Sequence, residues 1–215
     1  VALRATEFRF SPGPLRHGAF AFDVGTAGSI ALVLQALLPL MLCAPGPCRV
    51  TVAGGTDVRA APTVDYLRAV LLPLLGLMGA RLGLVVGRRG YFPRGGGLVE
   101  VRAQPSLLAP LRLPQPGQLL GIGGLAHVAR LPVGIAERMR DAALASLAGS
   151  ALSAGCEATV VGDADAIGRG GAIVLWAQRA CTTLGAGRVA QRGVRAEALG
   201  ADAGRELAAD LMAEV

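Results

Sequence analysis

Arg89-Gly-Tyr-Phe-Pro-Arg-Gly-Gly-Gly-Leu-Val99 is the stretch whose reading decides how this chain is understood. Three consecutive glycines cost conformational entropy and offer no side chain to pack. Such a run suits a place where backbone comes very close to something else. A phosphate held by bare N–H groups is one candidate. Another backbone segment packed tightly is the other, and spacing alone favours it. On either side, residues 82–86 and 98–101 read as strands, so residues 89–97 form a tight turn between them.

Upstream, residues 6–10 alternate polar and apolar, as a strand does, and residues 11–14 turn the chain. Phe20 and Phe22 alternate with small residues in a second strand. Gly25-Thr-Ala-Gly-Ser29 then breaks the chain, and Ser29 is suited to N-cap a helix running to about Leu42. Free N–H groups at a helix start attract anions, but without the glycine spacing of a nucleotide-binding loop a capped turn is the favoured reading of the segment. Pro39 is expected to kink that helix or end it early. Gln35 falls among apolar residues, and a buried amide must find partners in neighbouring backbone or in a ligand. Residues 49–52 make a short strand closed by Gly54-Gly-Thr-Asp57, where Asp57 suits a metal, a hydroxyl or the turn itself. After Pro62 a helix is expected from about Thr63 to Met78. Leu67, Val70, Leu71, Leu74 and Leu75 form its apolar stripe, and Pro73 is an irregularity.

Downstream, Pro105, Pro110, Pro114 and Pro116 mark a boundary within residues 104–118. Residues 119–128 read as a strand, 134–148 as a helix, 157–161 and 172–178 as strands, and 163–171 as a loop. Gly185-Ala-Gly187 reads as a second boundary. A last helix from about Ala196 carries Ala196, Leu199, Ala203, Leu207 and Leu211 near one face. Strands paired ahead of each helix do not suit a simple βαβ array, so the expected class is α+β, with a smaller module interrupting a larger domain. Val1 enters mid-pattern and the last helix has no stop signal, which points to a piece of a longer chain.

Composition narrows the chemistry. Hydrophobic residues are 53% but aromatics only 4%, so the core must be built from Ala, Val and Leu. All 21 basic residues are arginine, which excludes a P-loop lysine and a lysine nucleophile within these residues. Residues 1–118 hold 12 arginines against 5 acids, while the rest is near balance. Arginine's planar fork of donors suits phosphate, so the basic part fits a nucleotide or nucleic acid, or simply a soluble surface. Cys43, Cys48, Cys156 and Cys181 form no C-x-x-C pair and lie far from both histidines in sequence. Neither zinc nor a disulfide framework is signalled, and a reducing cytoplasm is expected. The apolar run 30–44 contains Gln35 and Pro39 and is too short to span a bilayer, so no membrane association is expected. His17 and His127 have no carboxylate nearby in sequence and read as structural or solvent-facing.

Taken together, these segments resemble the RNA 3'-terminal phosphate cyclase family. The resemblance rests on Arg89-Gly-x-x-Pro-x-Gly-Gly-Gly-x-Val99, on Phe22-Asp-Val-Gly-Thr-Ala-Gly-Ser29 with Leu34-Gln35 and Leu38-Pro39, and on Gly54-Gly-Thr-Asp57 with Ala61-Pro62 and Asp65-Tyr66. Arg192-Gly-Val-Arg-Ala-Glu-Ala-Leu-Gly200 looks like the family's return to its main domain. The resemblance implies an α+β fold in which repeated α/β units form a large domain, interrupted by a smaller α/β insert. Residues 1–118 and 185–215 would belong to the large domain and 119–184 to the insert. It implies an ATP-using ligase, with Mg2+ or Mn2+, that converts an RNA 3'-phosphate to a 2',3'-cyclic phosphate. A histidine is adenylylated, AMP passes to the RNA 3' end, and the 2'-OH expels it. ATP binding maps onto Gln35 and Pro62. The nucleophilic histidine is expected beyond Val215, so no catalytic residue and no metal ligand is assigned, and this chain alone is expected to be inactive. The family's Glu-Gly-Gly-Gly-Gln segment and early RNA-contacting arginines are also absent. Two alternatives stand beside the enzyme. One is a non-catalytic, RNA-binding branch of ribosome biogenesis. The other is an enolpyruvyl transferase, which a chain without lysine disfavours.

Overall fold

The computed structural model of the chain describes residues 6, 7, 9–111, 117–148, 156–162 and 165–213. Its first unit begins with β1 (Gly18–Asp23), α1 (Ile30–Leu42) and β2 (Cys48–Gly54), the two strands pairing in parallel. A broken helix follows as α2 (Val64–Tyr66), a π-helical turn (Leu67–Leu71) and α3 (Leu72–Leu77). The hairpin β3 (Arg81–Gly90) and β4 (Gly97–Gln104) pairs β4 antiparallel with β2. Burial follows the pleat: Val50, Val52, Val99, Val101 and Ala103 point inward while Arg49 and Arg102 point out. Against that face lie Ile30, Leu34, Leu38 and Met41, one stripe of α1.

β5 (Leu119–Ala129) opens a second sheet, completed by β6 (Glu157–Val161), β8 (Gly170–Arg179) and β9 (Thr183–Val189) in the order β6-β5-β8-β9. α4 (Val133–Leu147) and α5 (Ala196–Ala213) cover it and share one core. Small residues bring these helices together. Gly200 lies against the Met139 carbonyl and Gly204 against that of Ala143, leaving no room for a side chain at either. The short β7 (Ala166–Ile167) leaves the second sheet and joins the first beside β3, giving the order β1-β2-β4-β3-β7. A small cluster of Tyr91, Ala129 and Ala166 seals the junction.

Several expectations need correcting. The described residues of 6–10 form no strand, and Phe8 lies outside the described residues. Pro39 does not end α1, which runs on to Leu42; Ser29 caps its start by accepting a hydrogen bond from the Leu32 N–H at 3.3 Å. Pro73 is accommodated by the π turn before it, which widens the helix where the proline ring would meet the carbonyl four residues back. The loop expected at 163–171 contains β7, and Asp163 and Ala164 lie outside the described residues. The boundary expected at 184/185 falls inside β9, and α5 packs on α4. Residues 185–213 therefore continue the second unit rather than return to the first.

Candidate functional site

The two residues to which the resemblance assigns ATP lie far apart in sequence, yet the fold brings them to one cavity of about 630 Å³ between the units. Gln35 comes from α1. It is not buried, as the apolar context had suggested, but stands on the helix face turned away from the core. Pro62 comes from the loop before α2, where Thr63 caps the helix by accepting from the Tyr66 N–H at 3.1 Å. Arg59 and Tyr66 complete the near wall; Gly187 and Arg188 of β9 and Glu206 of α5 form the far one. Arg188 and Glu206 are ion-paired. Gly185 has to be glycine, because a Cβ there would run into Val70 as β9 crosses the broken helix. Burial, then the charges of Glu206 and Asp210, raise the Tyr66 phenol above its ordinary value.

The triple glycine does something else. A Cβ on Gly95 would collide with the Thr26 carbonyl, and one on Gly97 would stand 2.6 Å from the Gly90 nitrogen and 2.9 Å from the Gly54 oxygen. At Gly96 it would meet the side chain of Ile167 at 2.9 Å. Nearby, the Gly55 N–H donates to the Gly28 carbonyl at 2.8 Å, and the Thr56 N–H to the Gly90 carbonyl at 2.9 Å. The glycines of four loops thus lock backbone against backbone. This is the close-packing alternative, not a phosphate nest. None of the three glycines lines the Gln35 cavity.

Beside a neighbouring cleft, which Asp57 lines, lies a buried polar cluster that sequence reasoning missed. Asp57, Asp65, Arg89 and His127 are all buried. The Arg89 Nη1 stands 2.7 Å from Asp65 Oδ2 and 3.4 Å from Asp57 Oδ2. The Arg68 Nη2 reaches the other Asp65 oxygen at 2.9 Å, and the Thr56 hydroxyl donates to Asp57 at 2.7 Å. His127, from β5 of the second unit, faces both carboxylates at 3.6 and 3.8 Å, beyond hydrogen-bond reach. Burial alone would raise the Asp57 carboxyl. The His127 ring, the Arg89 guanidinium and the Thr56 hydroxyl outweigh it and hold the carboxyl below its ordinary value. Burial, then the Asp57 carboxylate, pushes the Tyr91 phenol well above its ordinary value. The available signal was a set of ionisable residues in apolar surroundings, but nothing local links positions 57, 65, 89 and 127.

The model of the family described as RNA 3'-terminal phosphate cyclase matches residues 1–198. The chain belongs to this family. Among curated relatives, it is 49% identical over 214 residues to the RNA 3'-terminal phosphate cyclase of Nitrosospira multiformis, covering 99% of this chain and 60% of that one. It is 42% identical over 217 residues to that of Hyperthermus butylicus (98% and 60%) and 44% identical over 206 residues to that of Methanothermobacter thermautotrophicus (95% and 60%). The chain spans about 60% of the length of these relatives.

For a cyclase-family chain, two negative findings matter. Neither histidine lines the Gln35 cavity: His127 is walled into the cluster, and His17 packs beside Gly46. The described residues also offer no fitting group for the divalent metal that the family implies. Among the described residues, Asp57, Asp65 and His127 are the one group that brings three metal-ligating side chains together, within 4.8 Å of one another. They do not fit a hydrated Mg2+ or Mn2+ bridging phosphates, because the group is closed to solvent and two arginines already neutralise its carboxylates. No helix among the described residues is long and apolar enough to cross a membrane.

Proposed function

We propose that this chain forms the nucleotide-binding part of an enzyme that converts RNA 3'-terminal phosphates to 2',3'-cyclic phosphates at the expense of ATP. The observation that carries the reading is the convergence of Gln35 and Pro62 on one cavity, with Tyr66 and Arg59 beside them. A primary amide both donates and accepts, and so can read the edge of a base. The Pro62 ring and the Tyr66 ring offer flat surfaces to the base, and Arg59 offers charge to the phosphates. Bound there, ATP supplies an adenylyl group whose leaving partner is pyrophosphate. Moved onto an RNA 3'-phosphate, that group turns a poor electrophile into one that a neighbouring 2'-OH can close, releasing AMP. Neither His17 nor His127 lines the cavity, so neither is assigned as the nucleophile that first takes the adenylyl group. Mg2+ or Mn2+ accompanies the nucleotide rather than a site built from these residues. RNA 3' ends are the substrate, and the four free cysteines suit the reducing cytoplasm in which we place the protein.

Calorimetric titration of the chain with ATP tests the reading. ATP binds the wild type, and Gln35→Ala weakens binding about tenfold, as loss of one to two ligand hydrogen bonds requires. Failure of the wild type to bind millimolar ATP, or unchanged affinity in Gln35→Ala, overturns it.

A further inference from the structure

The arginines divide into two groups. From Arg49 onward, most described arginines hold an acid or a carbonyl: Arg81 donates to the Pro105 carbonyl, Arg88 to that of Gly96, and Arg188 pairs with Glu206. Arg59, Arg94, Arg169 and Arg192 have no ion pair and no side-chain hydrogen bond among the described residues. These four come from four separate segments, yet they line connected clefts. The Gln35 cavity shares Arg59 and Gln191 with a cleft of about 580 Å³ that also holds Arg169 and Arg192. That cleft shares Phe92 and Arg169 with a third, of about 870 Å³, lined further by Arg94 and Arg130. Leaving four guanidiniums unpaired along one path repels them from one another, and a polyanion offsets that repulsion.

Phe92 says what kind of polyanion. Its ring is 80% exposed in the turn ahead of the triple glycine, where an apolar side chain gains nothing from water. It stands where the second and third clefts meet, with Arg94 and Arg169 beside it. Guanidiniums along a groove with an exposed aromatic ring are the elements of single-stranded nucleic-acid binding: charge tracks the phosphates and the ring stacks on an unpaired base. A duplex keeps its bases stacked and offers none to Phe92.

We infer that the body of a single-stranded RNA runs along this groove, from the Gln35 cavity past Arg59, Arg192 and Arg169 to a base stacked on Phe92 and a phosphate at Arg94. The inference rests on the nucleotide reading of the Gln35 cavity, which places the 3' end there. It adds a binding track built from the turn of the signature motif and from the second unit.

The test uses the 215-residue chain and a fluorescein-labelled RNA of about 12 nucleotides ending in a 3'-phosphate, followed by fluorescence anisotropy across a salt series. The single strand binds, and the same sequence annealed into a duplex binds at least tenfold more weakly. Phe92→Ala weakens single-strand binding about tenfold. Arg94→Ala with Arg169→Ala lowers the slope of log affinity against log salt by about 1.4, roughly 0.7 for each charge removed. All three side chains lie at the surface, so thermal melts of the variants match the wild type. Calorimetry with ATP, read on the same variants, stays unchanged, since none of the three lines the Gln35 cavity. Single-strand affinity or salt slope unaltered in these variants overturns the track while leaving the nucleotide reading intact. Equal affinity for duplex overturns stacking on Phe92 and the track with it. Loss of ATP binding in the wild type, with the RNA effects present, overturns the nucleotide reading alone.

Discussion

Replacing Arg89 by methionine removes the central cation of the buried cluster while keeping a side chain of similar reach. Arg89 is 10% exposed, and its partners Asp57 and Asp65 are 0% and 2% exposed at their side chains. At 2.7 Å, one ion pair in an effective dielectric of about 20 is worth roughly 6 kcal/mol in attraction alone. Freeing the guanidinium from its burial penalty returns part of that. Truncation of a buried pair therefore costs about 3–5 kcal/mol, mostly because the carboxylates stay buried. With a urea m-value of about 2–3 kcal/mol/M, the unfolding midpoint falls by about 1–2.5 M. The double variant Arg89→Met, Asp57→Asn removes the carboxylate that, unlike Asp65 with Arg68, has no second arginine beside it among the described residues, and recovers at least about 1 kcal/mol. Urea unfolding followed by circular dichroism reads both numbers. A midpoint within about 0.3 M of wild type for Arg89→Met would mean that the acids are not held as charges, and the electrostatic account of the cluster would be wrong. No recovery in the double variant would assign the loss to packing instead.

Two further outcomes follow from the same geometry. The folded Asp57 carboxyl lies below its ordinary value, so its stabilisation is complete above the unfolded value near pH 4 and is lost as pH falls through the folded one. Melting temperature between pH 2.5 and 7 should accordingly fall more steeply below pH 4 in the wild type than in Asp57→Asn, and parallel curves would remove Asp57 from the acid response. In the signature motif, Gly95 and Gly96 have φ of +66° and +71°, which costs an L-residue about 1 kcal/mol at each. Gly95→Ala also meets the Thr26 carbonyl and costs roughly 3 kcal/mol, whereas Gly96→Ala meets only the end of the Ile167 side chain and costs less; equal losses in thermal melts would refute the backbone-packing role of Gly95.

What the sequence determined by itself was local. The alternation of Val50 and Val52, the Ser29 cap, the spacing of Leu199, Ala203, Leu207 and Leu211, and the extent of β6 were all legible, because pleat, capping and helical period act between near neighbours. The signature motif and its companions pointed to the family. What only the tertiary structure decided was proximity. Nothing in the spacing of 35, 62 and 188 puts Gln35, Pro62 and Arg188 around one cavity, and nothing near His127 announces Asp57 and Asp65. Gly185-Ala-Gly187 looked like a break because glycine usually marks one, yet here its missing side chain lets β9 cross Val70. The same holds at Gly95–Gly97. A glycine run announces that something comes close, and only the folded chain decides whether that is a ligand or, as here, another stretch of backbone.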